Sequence, residues 1–231
     1  MSKAIVSFSG GQDSTTCLFW ALENFDEVET IGFYYGQRHS VELACRKEIL
    51  KSLPKKFPKY AGKLGNDQLV DISAFGKLAD SALTKDGDIE MGDNGLPTSF
   101  VPARNLIFLC MASSKAYSIG ADTIVTGVCE TDYSGYPDCR ESTIISLEKA
   151  ISLGLDKQIA IITPLMHLTK AETWKMAEDI GGEEMVNFIA KETHTCYEGD
   201  HVSEHDWGYG CGQCPACVLR EKGWKEYRGM K

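Results

Sequence analysis

The chain has 231 residues, of which 43% are hydrophobic and 25% are charged. This composition is ordinary for a globular protein, and it excludes a wholly disordered or fibrous chain. The most apolar stretch, residues 105–112, is far shorter than the about 20 residues that a membrane-spanning helix requires. The apolar run at the amino terminus is too short for a signal peptide, so we expect a cytoplasmic protein with no membrane partner.

Acidic residues outnumber basic residues by 33 to 24, which gives a formal net charge of −9. This balance disfavours broad binding to nucleic acid, and we expect no direct nucleic-acid partner. Cysteines number nine, and a chain in a reducing cytosol is not expected to carry a disulfide framework. Metal ligation or packing in the core must therefore explain them.

Predicted strands and helices alternate along the first two thirds of the chain. Short apolar runs predict strands at residues 4–8, 28–34, 68–72 and 122–128, and helical spacing predicts helices at 15–25, 40–53, 105–119 and 141–153. Residues 81–100 are rich in Asp, Gly and Pro without periodicity, which is typical of an excursion or a lid loop. The alternation indicates an α/β fold with a doubly wound parallel sheet.

The last third of the chain has a different pattern. From about residue 168 the sequence becomes helical, and near Thr193 it gives way to a cysteine-bearing loop and a closing helix. We therefore predict an α/β domain over residues 1–165 and a smaller helical appendage over residues 166–231 that carries the clustered cysteines.

The segment SGGQDS, residues 9–14, lies where the first predicted strand meets the first helix. Gly10 and Gly11 allow positive φ angles and a close backbone approach, while the N–H groups at a helix start carry partial positive charge. These features predict an anion-binding loop. The lysine of the P-loop pattern is absent, so γ-phosphate chemistry is not implied. The alternative is a tight turn capped by Ser14, which would need no ligand.

Four cysteines near the end of the chain are spaced C-x14-C-x2-C-x2-C, at Cys196, Cys211, Cys214 and Cys217. Four thiolates in one short segment suit a tetrahedral structural Zn²⁺. An iron–sulfur cluster is the alternative, because tight C-x2-C spacing also holds clusters. His194, His201 and His205 lie nearby as substitute ligands, although surface positions are the simpler interpretation.

The segment TGVCETDYSGYPDCR, residues 126–140, begins at the carboxyl end of a predicted parallel strand, where ligands of α/β sheets bind. A guanine-like ring needs a carboxylate for its N–H groups and aromatic faces that cover it, and an acid on that ring suits a forked contact from Arg104 or Arg140. The segment offers such groups at Glu130, Asp132, Tyr133, Tyr136 and Asp138. The alternative is a structural loop held by internal hydrogen bonds.

The SGGQDS segment after an amino-terminal strand resembles the loop of the PP-loop ATP pyrophosphatases, which split ATP between the α- and β-phosphates. Together with TGVCETDYSGYPDCR (126–140) and the segments FYYGQRHSVE (33–42), FVPARN (100–105), PLMHLTKAETW (164–174) and CGQCPAC (211–217), it resembles one branch of that superfamily over nearly the whole chain. That branch is the 7-cyano-7-deazaguanine synthase family of the queuosine pathway. Three features depart from the family pattern: Tyr34 in place of Asp or His, Ala103 in place of Gly, and a longer, acidic stretch between the first two clustered cysteines.

The resemblance implies a Rossmann-like PP-loop fold with a zinc-binding appendage, and an ATP-dependent ligase. The ligase would convert 7-carboxy-7-deazaguanine and ammonia to 7-cyano-7-deazaguanine through an adenylated carboxylate and an adenylated amide. ATP and Mg²⁺ would be co-substrates, Zn²⁺ would be structural, and a homodimer is the expected assembly. A tRNA-modifying PP-loop enzyme and a zinc-stabilised nucleotide-binding adaptor without turnover are the alternatives.

Individual roles follow from the same resemblance and from the motifs. ATP binding is expected at Phe8, Ser9, Gly10, Gly11, Gln12, Asp13, Ser14, Thr15, Thr16, Cys17 and Leu18. Catalytic roles are expected for Asp13, Ser14, Lys170 and Arg104, with Lys170 neutralising a phosphate and Asp13 binding the metal ion or its water. Substrate contacts are expected from Asp132, Tyr133, Tyr136, Asp138 and Arg140, with Asp138 as the first choice for reading the edge of the ring.

Overall fold

The computed structural model describes residues 1–37, 40–79, 81–85, 87, 89–93, 95–131 and 135–230. Across these residues, five parallel strands form a central sheet in the order β3-β2-β1-β4-β5. They are β1 (Lys3–Ser7), β2 (Glu27–Tyr34), β3 (Leu64–Asp71), β4 (Thr123–Thr126) and β5 (Ala160–Ile162). The predicted α/β fold with a parallel sheet is confirmed.

Helices connect the strands and extend the chain beyond the sheet. They are α1 (Gln12–Asn24), α2 (Val41–Lys56), α3 (Ser73–Gly76), α4 (Arg104–Ser118), α5 (Glu141–Leu155), α6 (Lys170–Glu192) and α7 (Pro215–Gly229). A short antiparallel hairpin of β6 (Glu204–His205) and β7 (Gly208–Tyr209) lies between α6 and α7. Gly181 and Gly182 leave helical geometry and kink α6.

The sheet is covered on both faces, because alternate side chains of a strand point to opposite sides. In β1, Ala4 and Val6 join one buried hydrophobic cluster and Ile5 joins the other. The first cluster also contains Leu18 of α1 and Trp174 of α6, and the second contains residues of α4 and α5. Burial on both sides explains why β1 is a continuous apolar run rather than an alternating one.

The first cluster extends into the carboxyl-terminal third of the chain. It includes Met185 of α6 and Cys217 and Trp224 of α7, together with residues of β1 and α1. The two predicted parts therefore share buried contacts, while the boundary at residues 165 and 166 stays a prediction.

The strand order places a topological switch point between β1 and β4. The chain proceeds from β1 to β2 and β3 on one side of the sheet, and from β4 to β5 on the other. The loops after β1 and β4 consequently leave the same edge of the sheet, where ligands of such folds bind. These loops are the SGGQDS segment and the segment after Thr126.

Within the described ranges, no helix combines the length and the apolar character needed to cross a bilayer.

Ala103, which departs from the family's glycine, has left-handed backbone angles of φ 63° and ψ 11° at the start of α4. Such angles are unfavourable for a residue with a Cβ atom, by about 1–2 kcal/mol. We expect Ala103→Gly to raise the free energy of unfolding in urea by about 0.5–1 kcal/mol, because relief of the strain outweighs the added freedom of the unfolded chain. As the control, Ala44→Gly on the exposed side of α2 should lower it by about 1 kcal/mol. Equal destabilisation by both changes would contradict the assignment of strain.

Candidate active site

The SGGQDS loop turns sharply at Gly10, which has φ +100°. A Cβ atom there would lie 2.6 Å from the carbonyl oxygen of Glu42 and 2.7 Å from the backbone nitrogen of Arg46. Only glycine fits both this angle and this close packing against α2. The positive φ angle and the close packing against α2 therefore explain why position 10 requires glycine.

Ser14 holds the loop closed, as the cap interpretation expects. Its Oγ accepts hydrogen bonds from the backbone N–H groups of Ser9 at 3.3 Å and Gly10 at 3.2 Å. The first intrahelical bond of α1 runs from Thr15 N–H to Gly11 oxygen at 3.0 Å. The N–H groups of residues 12–14 precede that bond, so the helix itself offers them no acceptor. The loop thus combines a serine-closed turn with a helix end that can bind an anion.

Lys170 lies beside this helix end. It is the first residue of α6, where Thr169 and Glu172 form a reciprocal capping box. Its Nζ atom donates to Asp13 Oδ2 at 2.6 Å, and the Lys170 side chain is only 10% exposed. The amino termini of α1 and α6 therefore meet at one place with a largely buried ammonium group, and two of the four predicted catalytic residues, Asp13 and Lys170, are brought together there.

Several buried polar atoms of the loop lack a partner among the described residues. They are Oε1 and Nε2 of Gln12 and Oδ1 of Asp13, and Gln12 is only 3% exposed. Leaving such atoms unpaired is costly, so they fit a site in which a polar ligand or an ion supplies the bonds.

The segment after β4 packs directly against the SGGQDS loop. A Cβ atom on Gly127 would lie 3.1 Å from the Asp13 carbonyl carbon and 3.1 Å from the Ser14 nitrogen. Further along, Thr131 donates its hydroxyl to the Leu168 carbonyl at 2.5 Å. The two loops at the switch point and the segment that leads into α6 therefore form one continuous site.

Arg104 and Tyr136 lie together at this site. The Arg104 guanidinium carbon is 6.0 Å from the centre of the Tyr136 ring and 5.8 Å from that of Tyr35. The Tyr136 hydroxyl pairs with the Ser99 hydroxyl at 2.7 Å. A guanidinium close to two aromatic rings is a group of the kind that can bind a planar carboxylate in a forked contact.

Two carboxylates of the segment after β4 make internal hydrogen bonds, as the alternative of a structural loop expects. Asp138, which is buried, accepts the backbone N–H of Asn105 in the first turn of α4 at 3.0 Å through Oδ2. Glu130 accepts the backbone N–H of Glu141 in the first turn of α5 at 3.0 Å. Both carboxylates therefore stabilise helix amino termini, where negative charge is favourable.

The other three residues predicted to contact the substrate are Asp132, Tyr133 and Arg140. Arg140 is exposed and is the residue at the amino-terminal cap of α5. Asp132 and Tyr133 lie outside the described residues. Of the two arginines considered for the substrate acid, Arg104 is the one beside Tyr136.

Glu42 is a site residue that the sequence reasoning missed. It lies in the first turn of α2, and its Oε1 atom lies 3.0 Å from the position that a Cβ atom on Gly11 would occupy. Burial raises the pKa of Glu42, whereas hydrogen bonding from Ser9 and the positive charge of Arg104 lower it. Acidic residues are common in first helical turns because of the helix dipole, so its sequence position gave no distinctive signal.

The four clustered cysteines converge. Their sulfur atoms all lie within 4.8 Å of one another, with Cys211 and Cys217 3.9 Å apart. Four sulfurs around one Zn²⁺ at about 2.3 Å would be separated by about 3.8 Å. An iron–sulfur cluster spreads its thiolates over several irons, so the compact group fits a single ion better.

Backbone donors already surround these sulfurs. Cys211 Sγ accepts N–H groups from Gln213 at 3.4 Å and Cys214 at 3.3 Å, and Cys196 Sγ accepts the N–H of Cys211 at 3.4 Å. The pKa of Cys214 is lowered, chiefly because the Cys217 thiol donates to it. Such bonds favour the thiolate form that a metal ion requires.

Arg220 holds the cysteine segment against α6. This fully buried side chain donates to the carbonyls of Trp207 at 2.9 Å and Ala190 at 3.1 Å, and to the Thr195 hydroxyl at 2.7 Å. Burial lowers its pKa to about 10, so it stays charged at neutral pH. A positive charge at the carboxyl end of α6 is favourable.

The histidines near the cysteines lie outside the four-sulfur group among the residues described. The expected surface position is wrong for His194, which is 4% exposed. Its backbone N–H donates to the Gly10 carbonyl at 3.3 Å, and its Nε2 pairs with the Cys196 carbonyl at 2.9 Å. His205 is exposed and stacks on Trp207. His194 is buried because it joins the cysteine segment to the SGGQDS loop.

Comparison with known proteins decides the family. Residues 3–228 match the family described as "Queuosine biosynthesis protein QueC". The chain belongs to this family. Proteins named 7-cyano-7-deazaguanine synthase from Alkalilimnicola ehrlichii, Parvibaculum lavamentivorans and Bradyrhizobium sp. are 52%, 54% and 55% identical to it. These alignments cover 98%, 100% and 97% of the chain and 95%, 97% and 94% of the relatives.

A solved structure supports the fold. The structure of a 4-thiouridine synthetase in complex with RNA and bound ATP aligns with a TM-score of 0.52 at 20% identity. The alignment covers 80% of this QueC-family chain and 42% of the synthetase, so the chain spans less than half of that protein's length. At this identity the likeness concerns the fold alone.

Proposed function

We propose that this QueC-family chain is a 7-cyano-7-deazaguanine synthase that joins ammonia to 7-carboxy-7-deazaguanine at the expense of ATP. The proposal is carried by one observation, which is that a loop at a helix amino terminus and an arginine near two aromatic rings lie at the same site. Both are near Glu42, since the charges of Asp13 and Arg104 act on its carboxylate. The names of the relatives, which share more than half of its sequence, support the same conclusion.

The chemistry begins with activation of a poor electrophile. A carboxylate oxygen of the substrate attacks the α-phosphorus of ATP, and pyrophosphate leaves. The N–H groups at the start of α1 and the Lys170 ammonium bind the departing phosphates, because they place positive charge where negative charge develops. The products of this step are an acyl adenylate and pyrophosphate.

Ammonia then replaces AMP at the activated carbon and gives an amide. The amide oxygen attacks a second ATP, and loss of the second AMP leaves the nitrile. Each stage uses the same loop to release pyrophosphate, so one site serves both stages. The protein contributes orientation and electrostatic stabilisation rather than a covalent nucleophile.

Arg104 is our proposed partner of the substrate carboxylate, since its guanidinium lies between the Tyr35 and Tyr136 rings. Tyr136 would cover the ring. Asp138 would read the ring N–H groups through Oδ1, while Oδ2 keeps its bond to α4. Asp132, Tyr133 and Arg140 remain predicted contacts.

Two metal ions complete the proposal. Asp13 would hold Mg²⁺ through Oδ1, which is buried without a partner among the described residues, and Mg²⁺ would neutralise phosphate charge. Zn²⁺ would be held by the four cysteines and would stabilise the fold rather than react. Small molecules are the proposed substrates, and a homodimer, a cytoplasmic location and the absence of a nucleic-acid partner remain predictions.

The reaction is tested by mass spectrometry of the products formed from the carboxylate, ammonium, Mg²⁺ and ATP. We expect the nitrile together with AMP and pyrophosphate, because the loop lacks a P-loop lysine and favours cleavage between the α- and β-phosphates. Asp13→Ala and Ser14→Ala should each lower turnover at least tenfold through lost phosphate and metal contacts, an order of magnitude typical for such groups.

The same experiment separates the alternatives. Glu178→Gln, a change on α6 away from the SGGQDS loop, is the control and should keep turnover. ADP and phosphate as products would contradict the proposal, and ATP binding without turnover would favour an adaptor.

The metal site predicts about one Zn²⁺ per chain, since four thiolates satisfy its coordination. Cys214→Ser should lower both the zinc content and the melting temperature, because metal binding contributes to folding. Elemental analysis and thermal unfolding provide the measurements. Cys110→Ser, at an exposed cysteine on α4, is the control and should change neither; iron with a brown chromophore would contradict zinc.

Asp138→Asn separates the two roles of this residue. The amide of Asn keeps one oxygen, which can accept the N–H group of α4. It replaces the other carboxylate oxygen with an NH2 group, which would face the N–H donors of the ring. We expect the affinity for 7-carboxy-7-deazaguanine in calorimetry to fall by about 2–4 kcal/mol, with ATP binding nearly unchanged. Glu130→Gln makes the same change at the α5 cap and should leave the substrate affinity close to wild type. Unchanged affinity in Asp138→Asn would show that this carboxylate is purely structural.

A further inference from the structure

The proposed reaction has a proton balance that requires a base, and the present inference rests on that reaction. Ammonia carries three N–H bonds and a nitrile carries none. Three protons therefore leave the nitrogen between the acyl adenylate and the product. Removing them at neutral pH calls for a group of the protein within hydrogen-bond reach of that nitrogen.

The other described carboxylates around the site already have specific partners. Asp13 is bonded to Lys170 at 2.6 Å. Glu130 accepts an N–H group of α5, and Asp138 accepts one of α4, each at 3.0 Å. These bonds direct the three carboxylates to a cation or to helix ends.

Glu42 lies against the SGGQDS loop. Its Oε1 atom is 3.0 Å from the position that a Cβ atom on Gly11 would occupy, and Ser9 Oγ is 3.5 Å from the same position. The charges of Asp13 and Arg104 both act on the Glu42 carboxylate. In the proposed adenylation, an α-phosphate bound by the loop and a substrate carboxylate bound by Arg104 would have to meet, and Glu42 is near both of these groups.

We propose that Glu42 is the general base that removes the N–H protons of the nitrogen in amide and nitrile formation. When ammonia attacks, the C–N bond forms, the bond from carbon to the AMP oxygen breaks, and a proton passes to the Glu42 carboxylate. When the amide oxygen is adenylated, a second N–H proton is lost. When the second AMP leaves, the carbon–nitrogen triple bond forms and the last proton follows. Between stages Glu42 returns each proton to solvent, and no oxidant or reductant takes part.

The environment of Glu42 suits this role. Burial raises the pKa of Glu42, although the Ser9 bond and the Arg104 charge oppose it. A carboxylate with a raised pKa is a better proton acceptor near neutral pH than an ordinary one.

The test compares two activities of Glu42→Gln, which keeps the size of the side chain and an oxygen that can accept from Ser9. Exchange of labelled pyrophosphate into ATP, measured with the carboxylate and without ammonium, reports adenylation, in which no N–H bond breaks. Formation of the amide and the nitrile, measured by mass spectrometry with ammonium, reports proton removal. We expect exchange within about threefold of wild type and nitrile formation lower by about 100-fold or more, the size typical of a lost general base.

Control variants test whether the selective loss of nitrile formation is specific to Glu42. Glu48→Gln, an exposed position on the same helix, should retain both activities. Equal loss of exchange and of nitrile formation in Glu42→Gln, or the loss of neither, would overturn the role of Glu42. If Glu42→Gln does not fold, Glu42→Asp must slow nitrile formation selectively, and an unselective effect would equally overturn it. A wild-type protein without carboxylate-dependent exchange would instead overturn the proposed function.

Discussion

Gly10 is the point at which three parts of the chain are held together. The α2 backbone packs on it so closely that a Cβ atom would come within 2.6 Å of the Glu42 carbonyl oxygen. The carbonyl of Gly10 accepts the N–H of His194 at 3.3 Å, two residues before the first clustered cysteine. The shape of the SGGQDS loop is therefore set by β1, by α2 and by the cysteine segment at once. In this arrangement a metal ion held by the four cysteines would support the proposed catalysis indirectly, because it would fix the segment on which the loop rests.

The site gathers positively charged groups, although the chain as a whole is acidic. The formal net charge is −9, yet Lys170, Arg104 and the amino termini of α1 and α6 all present positive charge at one site. Of the described carboxylates near it, Asp13 is paired with Lys170, and Glu130 and Asp138 accept helix N–H groups. Glu42 lies against the SGGQDS loop. Such a distribution attracts small anions to a specific place without creating a broad basic surface, and it suits ATP and a carboxylate substrate better than a long polyanion.

The fold and part of the site follow from local sequence patterns, and the remainder depends on tertiary contacts. The sharp glycine turn of the SGGQDS segment and the convergence of the four cysteines could be predicted from the sequence, because their residue types and spacing are distinctive.

The strand β5 was not predicted, since its three residues, Ala160–Ile162, are too few to show a period. The strand β3 begins at Leu64 rather than at residue 68 because its edge position tolerates Gly65 and Asn66, which are rare in strands. The helix-capping roles of Asp138 and Glu130, the buried position of His194 and the contact of Glu42 with the loop join residues far apart in sequence, and no local pattern encodes them.

The central claim, that both oxygens of the substrate carboxylate leave as parts of AMP, is tested most directly by oxygen-18 labelling of that carboxylate. After complete conversion in unlabelled water, mass spectrometry of the nucleotides should show two molecules of AMP per nitrile. Each AMP should carry one labelled oxygen, and the pyrophosphate should carry none. Label in pyrophosphate or in inorganic phosphate, or AMP without label, would contradict successive adenylation of the carboxylate and the amide.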